Sequence, residues 1–460
     1  MIKDLTRGNP LKLVTIFALP ILLGNLFQQL FQISDILIVG RLLGVKSLAA
    51  VGASAPIFFM FLIIAFGFTA GLTIITAQRF GAKDIKGIRS SVFHSIIAAF
   101  LLSLFLSIVL VLFLRPILRI MNVPSEIMDQ AYIFTLILGL SITFLVFFNL
   151  LSGFIRALGD SKTPLYFLIF SSLLNIALNF VFIYFCKLGV AGSALGTFCS
   201  VIVSALACVW FIAKKIPLLK ISKEDCKYKH KFMVEHLKVA VPMALQFSIL
   251  ALSMMIVQSV CNSFGTNVIA GFTAAMRIEQ ISTQPLFALG IAFATYSAQN
   301  YGAALIKRIR SGVRQCMAAG FILSLVISLA VRFYGADWVE VFIETKDATI
   351  VKIGRDYLMI STYFYFFLLC IFVIRNALQG MGLTKMPLIS GVVELVLRAS
   401  AVICLSEIMG YKGVFWAGPI AWIGGAVVVW SGYIWMVMRF NSKKMRRVFT
   451  KKKYLRLAAN

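Results

Sequence analysis

The chain contains twelve apolar runs of membrane-spanning length, and these constrain its fold more than any other feature. They lie near residues 13–40, 52–78, 91–114, 131–155, 164–186, 189–213, 239–261, 267–297, 312–334, 356–379, 387–409 and 413–438. A helix needs about 20 residues to cross the hydrocarbon core. Within lipid every backbone polar group must be satisfied internally, so such runs are helices. Composition agrees: 60% of residues are apolar and 13% are charged. That much apolar surface cannot be buried in a soluble domain, which excludes a large soluble enzyme.

The net charge is +27, from 44 basic and 17 acidic residues. With the N-terminus in the cytoplasm, inner segments carry 31 of the Lys and Arg residues, counting Arg314 at the inner edge of its run, and outer segments 10, counting Arg332 toward the outer end of the same run; three remain within spans: Arg277, Arg375 and Arg398. This excess fixes the orientation with both termini inside. A cell (inner, cytoplasmic) membrane is the expected location. The basic charge is thereby explained without nucleic acid, and the tail KKMRRVFTKKKYLR is expected to lie along anionic headgroups. The N-terminal run has no clear small-residue cleavage site and is expected to be the first spanning helix, not a signal peptide. The eight cysteines form no CxxC pair and read as small apolar packing residues.

The chain repeats itself. TAQRFGAKDIKGIRS (76–90) matches SAQNYGAALIKRIRS (297–311) at nine of fifteen positions, at an offset of 221. RALGDSKTPL (156–165) matches QGMGLTKMPL (379–388) at an offset of 223. The expected fold is therefore an all-α integral membrane protein of twelve transmembrane helices in two six-helix lobes, related by a pseudo-two-fold along the membrane normal. The expected parts are an N-lobe at 1–213, a basic cytoplasmic linker at 214–238, a C-lobe at 239–438 and a basic tail at 439–460. Two such lobes suit a carrier that rocks open to either side.

A carboxylate in the first span is costly, about 2.5–3.5 kcal/mol at a helix centre. Asn25, Gln28, Gln32 and Asp35 are spaced 3, 4 and 3, so they share one helical face. Span five carries Ser172, Asn175 and Asn179; span six carries Thr197, Ser200 and Ser204, again at spacings of 3 and 4. Asp35 lies about one and a half turns from the outer end of its helix, and Asn179 and Thr197 about two turns from theirs. A carboxylate, amides and a hydroxyl can therefore meet in the outer half of the first lobe. Hard oxygens with one negative charge suit a proton or a small cation such as Na⁺. The plainer alternative is a hydrogen-bond network that only joins helices.

At these residues the chain resembles the multidrug and toxic compound extrusion (MATE) transporters. The likeness runs over LPILLGNLFQQLFQISDILIVGRLLG, AQRFGA and AQNYGA, LGDSKTP with GLTKMP, and NIALN. It implies export of organic compounds by ion-coupled antiport, with the first-lobe acid carrying the ion. By motif position Asp35, Asn175, Asn179 and Thr197 match the cation site, and Pro20 matches the proline at which the first helix can bend. Many members carry Asp where this chain has Asn179, so one carboxylate is missing, which favours H⁺ over Na⁺ at Asp35. Some branches also use acids in the seventh and tenth spans, where this chain has none beyond Asp356 at an outer edge, and the repeat partner of Asp35 is Ile256.

Other intramembrane charges remain. Glu394 and Arg398 are i, i+4 neighbours with the acid first, and Arg375 lies at similar depth. These three are expected to be structural partners holding the second lobe together. Asn25, Gln28, Gln32, Ser172, Ser200 and Glu279 are candidates for the substrate cavity. The expected function is a cation-coupled antiporter, H⁺ favoured over Na⁺, exporting small, often cationic, organic compounds by rocker-switch alternating access. A flippase for a lipid-linked precursor is the alternative. An intramembrane enzyme would need converging catalytic groups, yet His94 lies near a helix start and His230 and His236 lie in the linker. Small organic substrates and membrane lipids are the expected partners, without nucleic acid. No cofactor beyond the coupling ion is expected, and the protein is expected to be a monomer.

Overall fold

The structure, a computed structural model, describes residues 3–121, 123–343 and 347–441, apart from the Gln32 side chain. The basic tail from 442 onward lies outside the described residues. All regular elements among the described residues are helical. They are α1 (Pro10–Gly81), α2 (Ile85–Ile120), α3 (Ser125–Ala157), α4 (Lys162–Phe180), α5 (Gly189–Lys215) and α6 (His230–Asn262). Then follow α7 (Thr266–Gly302), α8 (Ile306–Val341), α9 (Ala348–Thr362), α10 (Tyr365–Gly380), α11 (Lys385–Met409) and α12 (Tyr411–Asn441).

At 72 residues α1 is far too long for one crossing, about 108 Å against about 30 Å of hydrocarbon. It is broken at Gly44, whose φ of 80° and ψ of −177° are not helical. The two arms, 10–43 and 45–81, are the first two spans. The tenth span is also broken: α9 and α10 meet at 55° between Thr362 and Tyr365. The fifth ends in a π-helical turn, Val181–Phe185. α7 is long enough to cross but is diluted by Arg277, Glu279, Gln280 and Gln284. With these readings the crossings among the described residues number twelve, and the chain is a multi-pass membrane protein.

The described chain divides into two compact units. Unit 1 contains residues 3–4 and Leu23–Ala244; unit 2 contains Leu5–Leu22 and residues 245–441. Each unit therefore takes the opening of the other repeat's first helix. The handovers, after Leu22 and after Ala244, are 222 residues apart and each falls two residues past a proline, Pro20 or Pro242. Proline removes a helix hydrogen bond and loosens the turn before it. Helix α1 continues through Pro20, which is buried. In unit 2, Leu13, Val14, Phe17, Ala18 and Ile21 join a core with Leu289, Phe293, Val373 and Val429. In unit 1, Gly71 lies so close to Ala240 that a Cβ would sit 2.5 Å from its Cα.

The repeat is also written in the backbone. Left-handed residues recur at the repeat offsets: Gly44 with Gly265, Lys83 with Ala304, and Gly159 with Gly382. Lys83 and Ala304 adopt this conformation without being glycine, at φ 57° and 60°. The same tight turn after the AQ motif demands it in both copies.

Candidate cation-coupling site

The polar residues of three unit 1 helices meet around Asn179. Helix α1 brings Asp35, α4 brings Asn175 and Asn179 one turn apart, and α5 brings Thr197 and Ser200. The Asn179 side-chain amide donates to Asp35 Oδ1 and, at 2.9 Å, to Asn175 Oδ1. Asn175 in turn donates to Thr197 Oγ1 at 2.9 Å and lies 3.5 Å from Ser200 Oγ. Both Asn175 and Asn179 are fully buried, while Asp35 is half-buried. The relay fixes the amide orientations. Asn179 Nδ2 faces two oxygens, one of them a carboxylate, so a flipped amide would set oxygen against oxygen.

Small residues make the site. Asn179 Oδ1 would lie 2.0 Å from a Cβ on Gly196, so only glycine on α5 leaves room for that amide. The same oxygen is buried and accepts no hydrogen bond. A buried orphan acceptor beside a carboxylate has an unmet need for a positive or protic partner. Asp35, Asn179 Oδ1 and the Thr197 hydroxyl are the oxygens that could hold a cation. Yet they bring a single formal charge, and among the described residues no group of three or more His, Cys, Asp or Glu could hold a metal. The donor set fits a proton with no further ligand, and Na⁺ only with neutral oxygens around one carboxylate.

The remaining candidates are dispersed. The Ser172 hydroxyl bonds back to Leu168 O at 2.9 Å, within its own helix. Asn25 is half-buried and Gln28 exposed, and the Gln32 side chain lies outside the described residues. Glu279 belongs to unit 2, buried on α7, where its Oε2 accepts from Tyr357 OH at 2.8 Å.

The pairing expected between Glu394 and Arg398 is corrected. Among the described residues they form no ion pair within 4.0 Å. Glu394 instead pairs across helices with Arg375, and Ser390 Oγ lies 3.0 Å from each. Helical spacing makes two side chains neighbours but does not decide between a partner on the same helix and one on α10. Arg398 is buried, with Nη1 3.5 Å from the Met254 sulfur and Nε without a partner. The sequence reading set aside His94 and His236, yet both are fully buried in unit 1, and His236 lies on α6, not in the linker. Their signal was the repeat itself, which sets His94 opposite Gln315, 221 residues on.

A duplicated set of membrane-spanning helices that sets a half-buried carboxylate against a buried amide relay belongs to a carrier, the class of membrane transporters. The MatE family model matches residues 20–181 and, a second time, 242–403, so the chain belongs to the MATE family of transporters. A probable multidrug resistance protein, YpnP of Bacillus subtilis, is 31% identical over 98% of this chain and 99% of its own. A probable multidrug resistance protein NorM of Thermotoga maritima is 25% identical over 81% of this chain and 80% of its own. The fold is that of a crystal structure of MATE in the bent conformation, at a TM-score of 0.88, 24% identity, and coverage of 97% of this chain and 98% of that one.

Proposed function

We propose that this transporter is a cation-coupled antiporter that exports small organic compounds, often cationic, from the cytoplasm, with H⁺ as the coupling ion. One observation carries the reading: a lone carboxylate, Asp35, sits in a spanning helix against a buried amide with an orphan oxygen. Intramembrane acids are costly and are retained for function by default. That relatives such as YpnP are named multidrug resistance proteins supports the export of drugs. Both termini lie in the cytoplasm of the cell membrane, by the excess of inner Lys and Arg.

The chemistry follows from the charge count. Protonation cancels the charge of Asp35 and weakens its hold on the Asn179 amide. The outer arm of α1 is then no longer tied electrostatically to α4, and Pro20 gives that arm a place to bend. Alternating access results if the protonated and ionised forms favour different openings. Drug efflux from proteoliposomes tests the ion. A pH gradient alone should drive efflux, and a protonophore should abolish it. Robust efflux on a Na⁺ gradient alone, at fixed pH with protonophore present, would refute proton coupling and assign Asn179 to a Na⁺ site.

A further inference from the structure

Arg398 is the unexplained charge of unit 2. It lies in the middle of α11 and is 2% exposed. A guanidinium offers several N–H donors and keeps its charge wherever it is buried. Among the described residues its hydrogen-bond partner is the Met254 sulfur, a weak acceptor, and its Nε has none. Two more fully buried donors are left over in the same unit: the Ser361 hydroxyl at the end of α9 and the Tyr365 hydroxyl at the start of α10. Glu279 on α7 ties the group together. It is within electrostatic reach of Arg398, Tyr357 and Tyr365, and Ser361 adjoins both it and Tyr357. This inverts the unit 1 relay. There an acceptor, Asn179 Oδ1, lacks a donor; here three donors lack an acceptor. Arg398 stands where the first repeat has Asn175, 223 residues earlier.

The group sits at a helix break. Helices α9 and α10 meet at 55° between Thr362 and Tyr365, so Ser361 and Tyr365 flank the break. Helix α8 satisfies the broken end of α9: Ser328 Oγ donates to Thr362 O at 2.9 Å and Arg332 Nε to Thr362 Oγ1 at 3.1 Å. Discontinuous spanning helices are where carriers commonly build binding sites. Beside Glu279, Tyr357 packs edge-on against Phe272 at 5.1 Å and Phe415 at 5.6 Å, an aromatic wall suited to an organic cation. The charges can be counted. Arg375 and Glu394 pair with each other. Arg277, two residues before Glu279, points to the opposite face of α7. Glu279 and Arg398 remain, equal and opposite, and among the described residues they form no ion pair within 4.0 Å. A simple anion at Arg398 would meet the Glu279 carboxylate. A compound that brings both charges satisfies both residues and leaves the net charge unchanged.

We propose that unit 2 carries a subsite for zwitterionic organic compounds: Arg398, with the Ser361 and Tyr365 hydroxyls, receives the carboxylate, and Glu279 with its aromatic wall receives the cationic end. The inference rests on reading the protein as an exporter of organic compounds, and it names a class of cargo for that export. It explains why a guanidinium is kept in a spanning helix without an ion pair. A charge used for stability is paired; a charge used for recognition keeps its donors free for the ligand. Arg398 is therefore a specificity residue, and Arg375 one turn and a helix away is a structural one.

Equilibrium binding of two matched dyes to the full-length protein in lipid nanodiscs tests this. Rhodamine 110 is a zwitterion at neutral pH; rhodamine 123 is its methyl ester, a plain cation. Fluorescence anisotropy gives the ratio of the two affinities. Arg398→Met should lower the preference for rhodamine 110 over rhodamine 123 about tenfold, the loss of a charge-assisted hydrogen bond. Tyr365→Phe, which keeps the ring, should lower it about threefold. Glu279→Gln should weaken both dyes. Replacing chloride by gluconate should leave rhodamine 110 binding unchanged, because chloride brings no cation for Glu279. An unaltered preference in Arg398→Met, no binding of rhodamine 110, unchanged affinities in Glu279→Gln, or competition by chloride would each overturn the subsite. If Arg398→Met does not fold, the ratio in Tyr365→Phe decides alone. No gradient is applied, so failure of ion-driven efflux counts against the export reading and leaves this result standing.

Discussion

The two units repeat the same backbone turns and differ in their buried charge. Unit 1 has Asp35 against the amides of Asn175 and Asn179. At the repeat offsets unit 2 has Ile256 in place of Asp35 and Arg398 in place of Asn175. Its acid–base pair, Arg375 with Glu394, bridges α10 and α11 instead. Turns, left-handed residues and helix prolines recur in both copies. The buried polar groups differ between the copies, so the proposed ion site is one-sided. The unit 1 site is an acceptor cluster with a deficit of positive charge, whereas the unit 2 cluster supplies its own counter-ions.

If that contrast is right, the largest effect on stability should come from unit 2. Glu394→Gln leaves the Arg375 guanidinium buried and unpaired and should cost about 3–5 kcal/mol in thermal unfolding in detergent. Adding Arg375→Met should recover most of the loss, since a removed pair is cheaper than a broken one. Arg398→Met should change stability by less than about 1 kcal/mol, because Arg398 lacks an ion pair to lose. Equal losses at Arg398 and Arg375 would erase the distinction between them.

A smaller effect is expected in unit 1. Gly196→Ala drives a methyl into the Asn179 carboxamide, and overpacking of this kind costs about 1–3 kcal/mol. It should also displace the relay and slow gradient-driven export more than it lowers the melting temperature. Radiolabelled substrate efflux, set against thermal unfolding of the same preparation, separates the two effects. Unimpaired coupling in a folded Gly196→Ala protein would mean that the position of Asn179 does not matter.

Much of this was legible in the residues. The apolar periodicity and the pair AQRFGA and AQNYGA carried the span count and the repeat. The 3–4–3 spacing carried the polar face of Asp35. What the sequence hid depends on tertiary geometry. Spacing along α11 offers Arg398 to Glu394, but the shape of the α10–α11 contact favours Arg375. The handover of helix openings between units leaves no local mark beyond Pro20 and Pro242, whose meaning emerges only when they are seen to coincide with the unit boundaries. His94 opens the apolar run 91–114 and His236 closes the basic linker, and their burial follows from the stacking of the start of α6 on α2.

The central claim is that Asp35 couples transport to an ion gradient and does nothing else. Asp35→Asn protein, reconstituted in proteoliposomes, should be tested for two activities side by side. One is substrate–substrate counterflow without an ion gradient; the other is uphill accumulation driven by one. Counterflow should persist, because the amide keeps the shape of the site and a neutral side chain mimics the protonated acid. Uphill accumulation should vanish. Uphill accumulation at the unsubstituted rate would contradict the account and move the coupling ion to some other residue.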